Sequence, residues 1–491
     1  MSLSRRRFLS QSASLSAFAV VGKAVAAKAA EQPAAMPPPK RGANERIRVA
    51  VAGINGQGTS HMGGYAGMKD VEIVYLVDPD SRLFESRAKS VEDKAGYRPK
   101  CVQDIRKVLE DKSVDVVSIA TPNHWHSLMT IWACQAGKDV YVEKPMSHNI
   151  HEGRIAVETA RKYNRIVQHG TQSRSDMKWA KVVAAIASGK LGKLLISRAL
   201  CYKPGGGHNT RGDLGFKPYT NPPKELDFDL WLGPARKQPY HENLVHYRWH
   251  WFWDFGNGDL GNQGVHQMDI ARWGIPGATL PKSVYSFGGR LGFFDQGEAA
   301  CTQMAVMDFG ETKLIFETRG LKSPKYMGVD VGNIFHLEAG DIVNGKFYPK
   351  GSNEEAPLPE VEATRGPGGD RLVNFLAAVR SRKVSDLNAD ILEGHYSSAL
   401  CHLCNMSIRL GSKIPFRPRD TTLESDPVVL DLLERTEQHL AENGVDIEKS
   451  GFVLGRKLVV DAGTETIVDD PEANQLLTRH YRKGFEVPDK V

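Results

Sequence analysis

Cysteine is scarce in this sequence. The 491 residues include six cysteines, too few for a fold held together by disulfides. Cys401 and Cys404 form a CHLC motif, but it lies within the apolar helical pattern SALCHLCNMSIRL, and no second pair of ligands lies nearby. We therefore expect these two residues to be ordinary buried thiols, and we predict no metal site.

A strong charge bias and long apolar segments are also lacking. The formal net charge is +6, and it falls to +1 without the first 30 residues, which carry five basic and no acidic side chains. This balance gives no reason to expect a nucleic-acid partner or an anionic membrane surface. No stretch is long and apolar enough to span a bilayer, so we predict no membrane span.

The first residues resemble an export signal. The basic stretch SRRRFLS is followed by a short apolar run and by small residues suited to cleavage. Paired arginines before phenylalanine and leucine resemble the twin-arginine signal, which directs export of folded proteins. We predict such a signal over residues 1–30 and a periplasmic or otherwise exported protein; a basic N-terminus of a cytosolic protein is the alternative. The proline-rich residues 31–45 predict an extended arm or linker.

Two patterns of secondary structure predict two domains. Over residues 46–172, apolar strands such as RIRVAVAG and VDVVSIATP alternate with amphipathic helices, which is typical of a parallel sheet covered on both faces. From residue 173 to 418, strand-like segments such as TKLIFETRG and long loops predict an α+β domain with a largely antiparallel sheet. Residues 419–491 form a C-terminal extension that could wrap the domains or serve assembly.

The first strand is followed by a glycine-rich turn, GINGQG. Gly53, Gly56 and Gly58 would permit a tight turn and close approach of a pyrophosphate to the start of the next helix. Asp78 ends the second strand, where a carboxylate accepts hydrogen bonds from both ribose hydroxyls of NAD and repels the 2′-phosphate of NADP. The pattern predicts a dinucleotide site that favours NAD, although Arg82 leaves some NADP binding open.

Two further strands end in polar clusters, ATPNHWH and VEKP. In an open α/β sheet, ligands bind outside the carboxyl ends of the strands, and a lysine there can hydrogen-bond a reacting oxygen. The predicted cofactor-binding residues are Gly53, Asn55, Gly56, Gln57, Gly58, Asp78, Thr121, Pro122, Asn123, His126, Glu143, Lys144 and Gln172.

Taken together, these motifs resemble the Gfo/Idh/MocA oxidoreductase family. The resemblance covers roughly residues 46–418 and includes GINGQG, ATPNHWH, GKDVYVEKP, DLWLGP, GNQGVHQMD and RLVNFLAAVRSR. It implies an N-terminal Rossmann domain followed by an α+β domain with an open-faced sheet, a nicotinamide cofactor, and a sugar or cyclitol substrate. It also implies a homodimer or homotetramer assembled through the open sheet face.

The resemblance assigns catalytic roles by position. Lys144 matches the lysine that contacts the nicotinamide ribose and the substrate oxygen, and His266 matches the histidine that takes the hydroxyl proton. Asp269 matches an acidic position that binds substrate or orients that histidine. Asn262 departs from the family, because many members carry aspartate there and an amide cannot supply the same negative charge. We expect Asp269, rather than Asp259, to supply it.

An aromatic cluster precedes the GNQGVHQMD segment. One or two of its rings are expected to contact a sugar, while the others fill the core. The cluster consists of Tyr247, Trp249, Trp251, Phe252, Trp253 and Phe255.

Three functions fit these residues. The first is a sugar or cyclitol oxidoreductase that carries its NAD tightly bound. The second is an NAD-dependent glycoside hydrolase or lyase that oxidises the ring transiently. The third is a non-catalytic NAD-binding sensor. The complete EKP motif favours the first.

Overall fold

A six-stranded parallel sheet forms the N-terminal part of the fold in the computed structural model, which describes residues 45–203, 213–418 and 426–491. The predicted signal over residues 1–30 and almost all of the predicted arm lie outside the described residues. The strands are β1 Ile47–Ala52, β2 Val71–Val77, β3 Lys100–Val102, β4 Val116–Ile119, β5 Asp139–Val142 and β6 Val167–His169. The helices between them are α1 Gln57–Ala66, α2 Phe84–Ala95, α3 Arg106–Leu109, α4 Asn123–Gln135 and α5 Ile150–Lys162.

The strand order β3-β2-β1-β4-β5-β6 confirms the predicted Rossmann topology. Strands β1, β2, β4 and β5 are buried almost throughout, as their unbroken apolar runs require in a sheet covered on both faces. The order reverses between β1 and β4, so a crevice opens at their carboxyl ends.

A second, larger sheet follows. The helices and strands of this second part, up to residue 418, are α6 Met177–Ala187, β7 Leu194–Tyr202, α7 Phe228–Leu232, α8 Gly264–Trp273, β8 Ser283–Gly289, β9 Thr302–Asp308, β10 Lys313–Arg319, β11 Val331–Leu337, β12 Gly340–Val343, β13 Lys346–Pro349, α9 Arg371–Ser381, α10 Ile391–Arg409 and β14 Ser412–Pro415. The C-terminal extension adds α11 Pro427–Glu442, β15 Gly451–Leu454, β16 Leu458–Asp461, β17 Thr466–Ile467 and α12 Pro471–Gln475.

The second sheet is largely antiparallel, as predicted. Its main path runs β13-β12-β11-β7-β10-β9-β8-β15-β14, in which only β7 and β10 pair in parallel. Helices α8 and α10 cover one face through an apolar core that includes Phe316, Phe335 and Leu400. Helix α11 covers part of the other face, where Leu432 packs against Phe287.

Two segments pack across the predicted domain boundaries. Helix α9 buries Leu372 and Phe375 in the core of the parallel sheet, although its sequence position falls in the predicted second domain. The last residues of the extension also return to that sheet, because Phe485 contacts Trp125 with ring centroids 5.6 Å apart. Within the described residues, no helix combines the length and apolar character that a bilayer crossing needs.

Candidate active site

A cavity of about 430 Å³ lies at the carboxyl edge of the parallel sheet, closed on its far side by residues of α7, α8 and the loop between them. This volume lies within the usual range of ligand sites. The residues predicted from the sequence that line it are Gly53, Asn55, Gly56, Gln57, Asp78, Thr121, Pro122, Asn123, His126, Glu143, Lys144, Gln172, Asn262 and His266. Gly58 and Asp269 do not line it.

The three glycines of the first turn have different physical roles. Gly53 has φ +79°, and a Cβ there would lie 2.5 Å from the carbonyl carbon of Ala120. A Cβ on Gly58 would lie 1.8 Å from the oxygen of Gly53, so both glycines are needed for the turn itself. A Cβ on Gly56 would meet no protein atom within 4 Å, so packing does not require glycine there. Its missing side chain instead leaves space in the cavity.

The start of α1 is suited to an anion. No side chain caps its first turn, and no acidic residue lies in that turn. Backbone N–H groups at the start of α1 and the positive end of the helix dipole therefore lie beside Gly56. This arrangement fits the pyrophosphate of a dinucleotide.

Asp78 is held at the tip of β2. Its carboxylate accepts hydrogen bonds from the backbone N–H groups of Ile54 and Asp80, each at 3.0 Å, and burial raises its pKa. Arg82, which could have received a 2′-phosphate, is bound to Asp80 instead through a 2.7 Å hydrogen bond from Nε. His246 Nε2 lies 3.0 Å from the same Asp80 carboxylate.

Lys144 and Asn262 meet at the opposite end of the cavity. Lys144 Nζ donates a hydrogen bond of 3.0 Å to Asn262 Oδ1, and Asn262 Nδ2 lies 3.5 Å from the hydroxyl of Tyr247. The amide oxygen thus orients the ammonium group in the place where many relatives are expected to carry a carboxylate. Lys144 follows Glu143 at the end of β5, and the Lys144–Pro145 peptide bond is cis.

His266 enters the cavity from the first turn of α8. Its pKa is lowered to about 3 by burial and by the positive charge of Lys144, while the charge of Glu143 opposes this shift. The imidazole is therefore neutral near pH 7 and can accept a proton.

Asp269 lies three residues further along α8 but takes part in a different cluster. It is fully buried, and its carboxylate accepts hydrogen bonds from Arg174 Nε at 2.9 and 3.0 Å and from Ser397 Oγ at 2.7 Å. The predicted contact between Asp269 and His266 is not among the hydrogen bonds or ion pairs of the described chain. The carboxylate instead ties α8 to α10 and to the segment that precedes α6.

The aromatic cluster divides between cavity and core. Tyr247 and Trp249 line the cavity, and Trp249 stacks on His250 with ring centroids 3.6 Å apart. Trp251 and Phe255 are fully buried in an aromatic core to which Trp249 also belongs. Trp231, His246 and His250 also line the cavity but were not predicted to do so, because all three come from loops and short helices of the second domain.

Comparison with known proteins agrees with this architecture. Residues 47–171 match a family model described as oxidoreductase family, NAD-binding Rossmann fold, and residues 181–279 match its C-terminal alpha/beta domain. Both models are named for the Gfo/Idh/MocA family. The WlbA dehydrogenase from Bordetella pertussis, solved with NADH and UDP-GlcNAcA, has a similar fold, with a TM-score of 0.53, 19% identity, and coverage of 74% of this chain and 97% of that one.

Curated relatives match over shorter stretches. The scyllo-inositol 2-dehydrogenase (NAD(+)) of Bacillus subtilis is 32% identical over 149 residues, which cover 30% of this chain and 42% of that protein. A glycosyl hydrolase family 109 protein of Shewanella pealeana is 26% identical over 216 residues, which cover 40% of this chain and 46% of that protein. The chain thus spans less than half the length of these relatives.

Proposed function

We propose that this protein is an NAD-dependent oxidoreductase that acts on a hydroxyl or carbonyl group of a sugar, sugar derivative or cyclitol. The observation that carries the proposal is the grouping of Lys144, Asn262 and His266 at one end of a cavity whose other end fits a dinucleotide. Asp78, together with the engagement of Arg82 by Asp80, favours NAD over NADP. The B. subtilis relative, named for scyllo-inositol and NAD(+), supports a cyclitol or sugar substrate.

Different side chains have different roles in the proposed alcohol oxidation. NAD, when bound, supplies the hydride acceptor. Neutral His266 takes the proton of the substrate hydroxyl, which is general base catalysis. The Lys144 ammonium donates a hydrogen bond to the same oxygen and stabilises its developing negative charge. Asn262 holds that ammonium in place, and the rings of Tyr247 and Trp249 line the substrate side of the cavity.

A second function deserves a direct test because of the family 109 relative. A glycoside hydrolase or lyase could oxidise the sugar ring transiently, eliminate the glycosidic oxygen and return the hydride, with the same acid and base groups. It would leave no net change in the cofactor. A non-catalytic NAD-binding sensor is a third candidate, and the pairing of Lys144 with His266 argues against it.

One experiment separates these functions. The purified protein is denatured, and released NAD(H) is quantified by absorbance and chromatography; we expect a stoichiometric amount if the cofactor is carried tightly bound. The native protein is then incubated with cyclitols, sugars and aryl glycosides. NADH formation supports oxidoreduction, cleavage without net NADH supports the hydrolase, and no NAD binding at all contradicts the proposal. Lys144→Met should still bind NADH, although more weakly, and should lose activity about 100-fold or more.

Export and assembly remain part of the proposal. Replacing Arg5 and Arg6 by lysine in the full-length chain should keep the protein in the cytoplasm if the basic N-terminus acts as a twin-arginine signal. Cell fractionation measures this directly, and unchanged export would contradict the assignment. Light scattering on the purified protein tests the expected dimer or tetramer.

A further inference from the structure

A column of polar side chains crosses the interface between α1 and the parallel sheet, which is otherwise apolar. His61 and Tyr65 lie one turn apart on α1, Ser118 lies on β4, and all three are fully buried. Ser118 Oγ lies 3.3 Å from the hydroxyl of Tyr65 and 2.9 Å from His61 Nδ1. His61 Nε2 lies 3.0 Å from Glu143 Oε1. Buried polar groups cost free energy unless they are hydrogen-bonded, and this column satisfies its members in sequence.

The carboxylate sets the direction of the hydrogen bonds. Glu143 can only accept when ionised, so His61 donates from Nε2. In the neutral imidazole, Nδ1 then accepts the hydroxyl proton of Ser118, whose oxygen accepts from Tyr65. The column therefore ends on Glu143 and fixes one of its oxygens.

Glu143 occupies a distinctive place among the groups that line the cavity. Among the described lining residues, the other carboxylates are Asp78 and Asp104, which follow β2 and β3 at the opposite end. Glu143 Oε2 also accepts from the backbone N–H of Lys144 at 3.3 Å, and Oε1 accepts from Gln57 Nε2 at 3.3 Å. Burial alone would raise its pKa, but the hydrogen bond from His61 and the positive charge of Lys144 lower it.

We propose that His61 is a positioning residue that keeps Glu143 ionised and fixed beside Lys144, so that Glu143 supplies the negative charge that Asn262 lacks. The inference rests on the proposed function, because the charge matters for proton transfer to His266. It also replaces the sequence-based expectation that Asp269 supplies this charge, since Asp269 is bound to Arg174.

The test removes the imidazole of His61, which donates a hydrogen bond to Glu143. In His61→Leu, burial is no longer opposed by the imidazole, so Glu143 should become protonated at a higher pH, about pH 5 to 8, because burial can raise the pKa of a carboxyl group by several units. We expect kcat/KM to acquire an acid limb in that range that the natural protein lacks. Infrared difference spectra should show a protonated carboxyl group over the same range, and the band should be absent from the double variant His61→Leu/Glu143→Gln.

Tyr141→Phe is the matched control. The Tyr141 ring contacts His61 edge-on, with centroids 5.1 Å apart, and its buried hydroxyl has no hydrogen-bond partner among the described residues. This variant changes a neighbour of His61 but leaves the column intact, so its pH profile and infrared spectrum should match those of the natural protein.

Two further variants keep the inference open to refutation if His61→Leu does not fold. His61→Gln retains an N–H donor and should reduce the acid limb relative to His61→Leu. Ser118→Ala removes only the hydroxyl that orients His61, and it should produce a smaller shift in the same direction. A folded variant that binds NADH, loses activity equally at every pH and shows no protonated carboxyl would overturn the proposal. The infrared measurement needs no substrate, so it distinguishes this failure from a failure of the proposed reaction.

Discussion

Replacing Asn262 by aspartate tests the electrostatics of the site most directly. The change is nearly isosteric, and it places a carboxylate where the amide oxygen now lies 3.0 Å from Lys144 Nζ. Asn262 lies in the turn directly before α8 and lines the same cavity as His266, so we take their separation as about 6 Å, the spacing of side chains one helical turn apart. The new negative charge should raise the pKa of His266.

The size of the shift follows from Coulomb's law. Two unit charges about 6 Å apart interact by roughly 3 kcal/mol at an effective dielectric constant of about 20, which is equivalent to about 2 pKa units. The ammonium of Lys144 lies beside the new carboxylate and offsets part of this field, so we expect a shift of about 1 unit. The pKa of His266 should then rise from about 3 to about 4.

The assay follows kcat/KM for alcohol oxidation as a function of pH. In the proposed reaction neutral His266 is the active form, so activity should fall as the pH drops through its pKa, and the aspartate variant should lose activity at a pH about 1 unit higher than the natural protein. Asn262→Leu removes the hydrogen bond without adding charge, and its acid limb should not move upward. Circular dichroism at each pH separates titration from acid unfolding. An aspartate variant that stays folded, binds NADH and keeps its acid limb in place would refute the reasoning.

Other predictions address the cofactor turn, cofactor choice and Asp269. Gly56→Val should weaken NADH binding more than 10-fold with little change in Tm, whereas Gly53→Ala should lower Tm, because only Gly53 has a positive φ and a backbone neighbour 2.5 Å from the added Cβ. Asp78→Ala should weaken NAD binding about 10-fold and reduce the preference over NADP, as measured by fluorescence titration. Asp269→Asn should cost about 3 kcal/mol of unfolding free energy, because Arg174 loses a buried charge partner. Chemical denaturation checks this loss, and an unchanged acid limb of kcat/KM would confirm that Asp269 acts through stability.

The sequence could predict part of the cavity lining, because those residues follow strands. Gly53 follows β1, Asp78 follows β2 and Lys144 follows β5, and a parallel sheet brings the carboxyl ends of its strands to one edge. The short strand β3 was not predicted, because its sequence KCV offers no apolar run and its residues are only partly buried.

The contacts between distant residues were not predictable in the same way. Lys144 and Asn262 are 118 residues apart, so their hydrogen bond depends on how α8 docks against the edge of the parallel sheet. Asp269 illustrates the same limit, because its spacing from His266 suggests a shared face of α8. Its actual partner, Arg174, lies 95 residues earlier and reaches the carboxylate from the other side of the helix interface. Helical spacing predicts neighbours on one helix and leaves the partner across an interface undetermined.

The C-terminal extension alters the surface that the family resemblance assigns to assembly. Arg435 on α11 donates hydrogen bonds of 2.8 and 2.9 Å to Glu317, a fully buried residue on the outer face of β10, which also accepts from Arg198 at 2.6 Å. Burial would raise the pKa of Glu317, but these arginines lower it to about 2, so the cluster stays charged under ordinary conditions. Removing α11 would leave a buried carboxylate with fewer partners and expose the apolar surface around Phe287. Helix α11 therefore covers the central strands on this face of the second sheet as part of the folded chain. An assembly through the same face must then use the outer surface of α11 or the strands β11–β13, which lie beyond it.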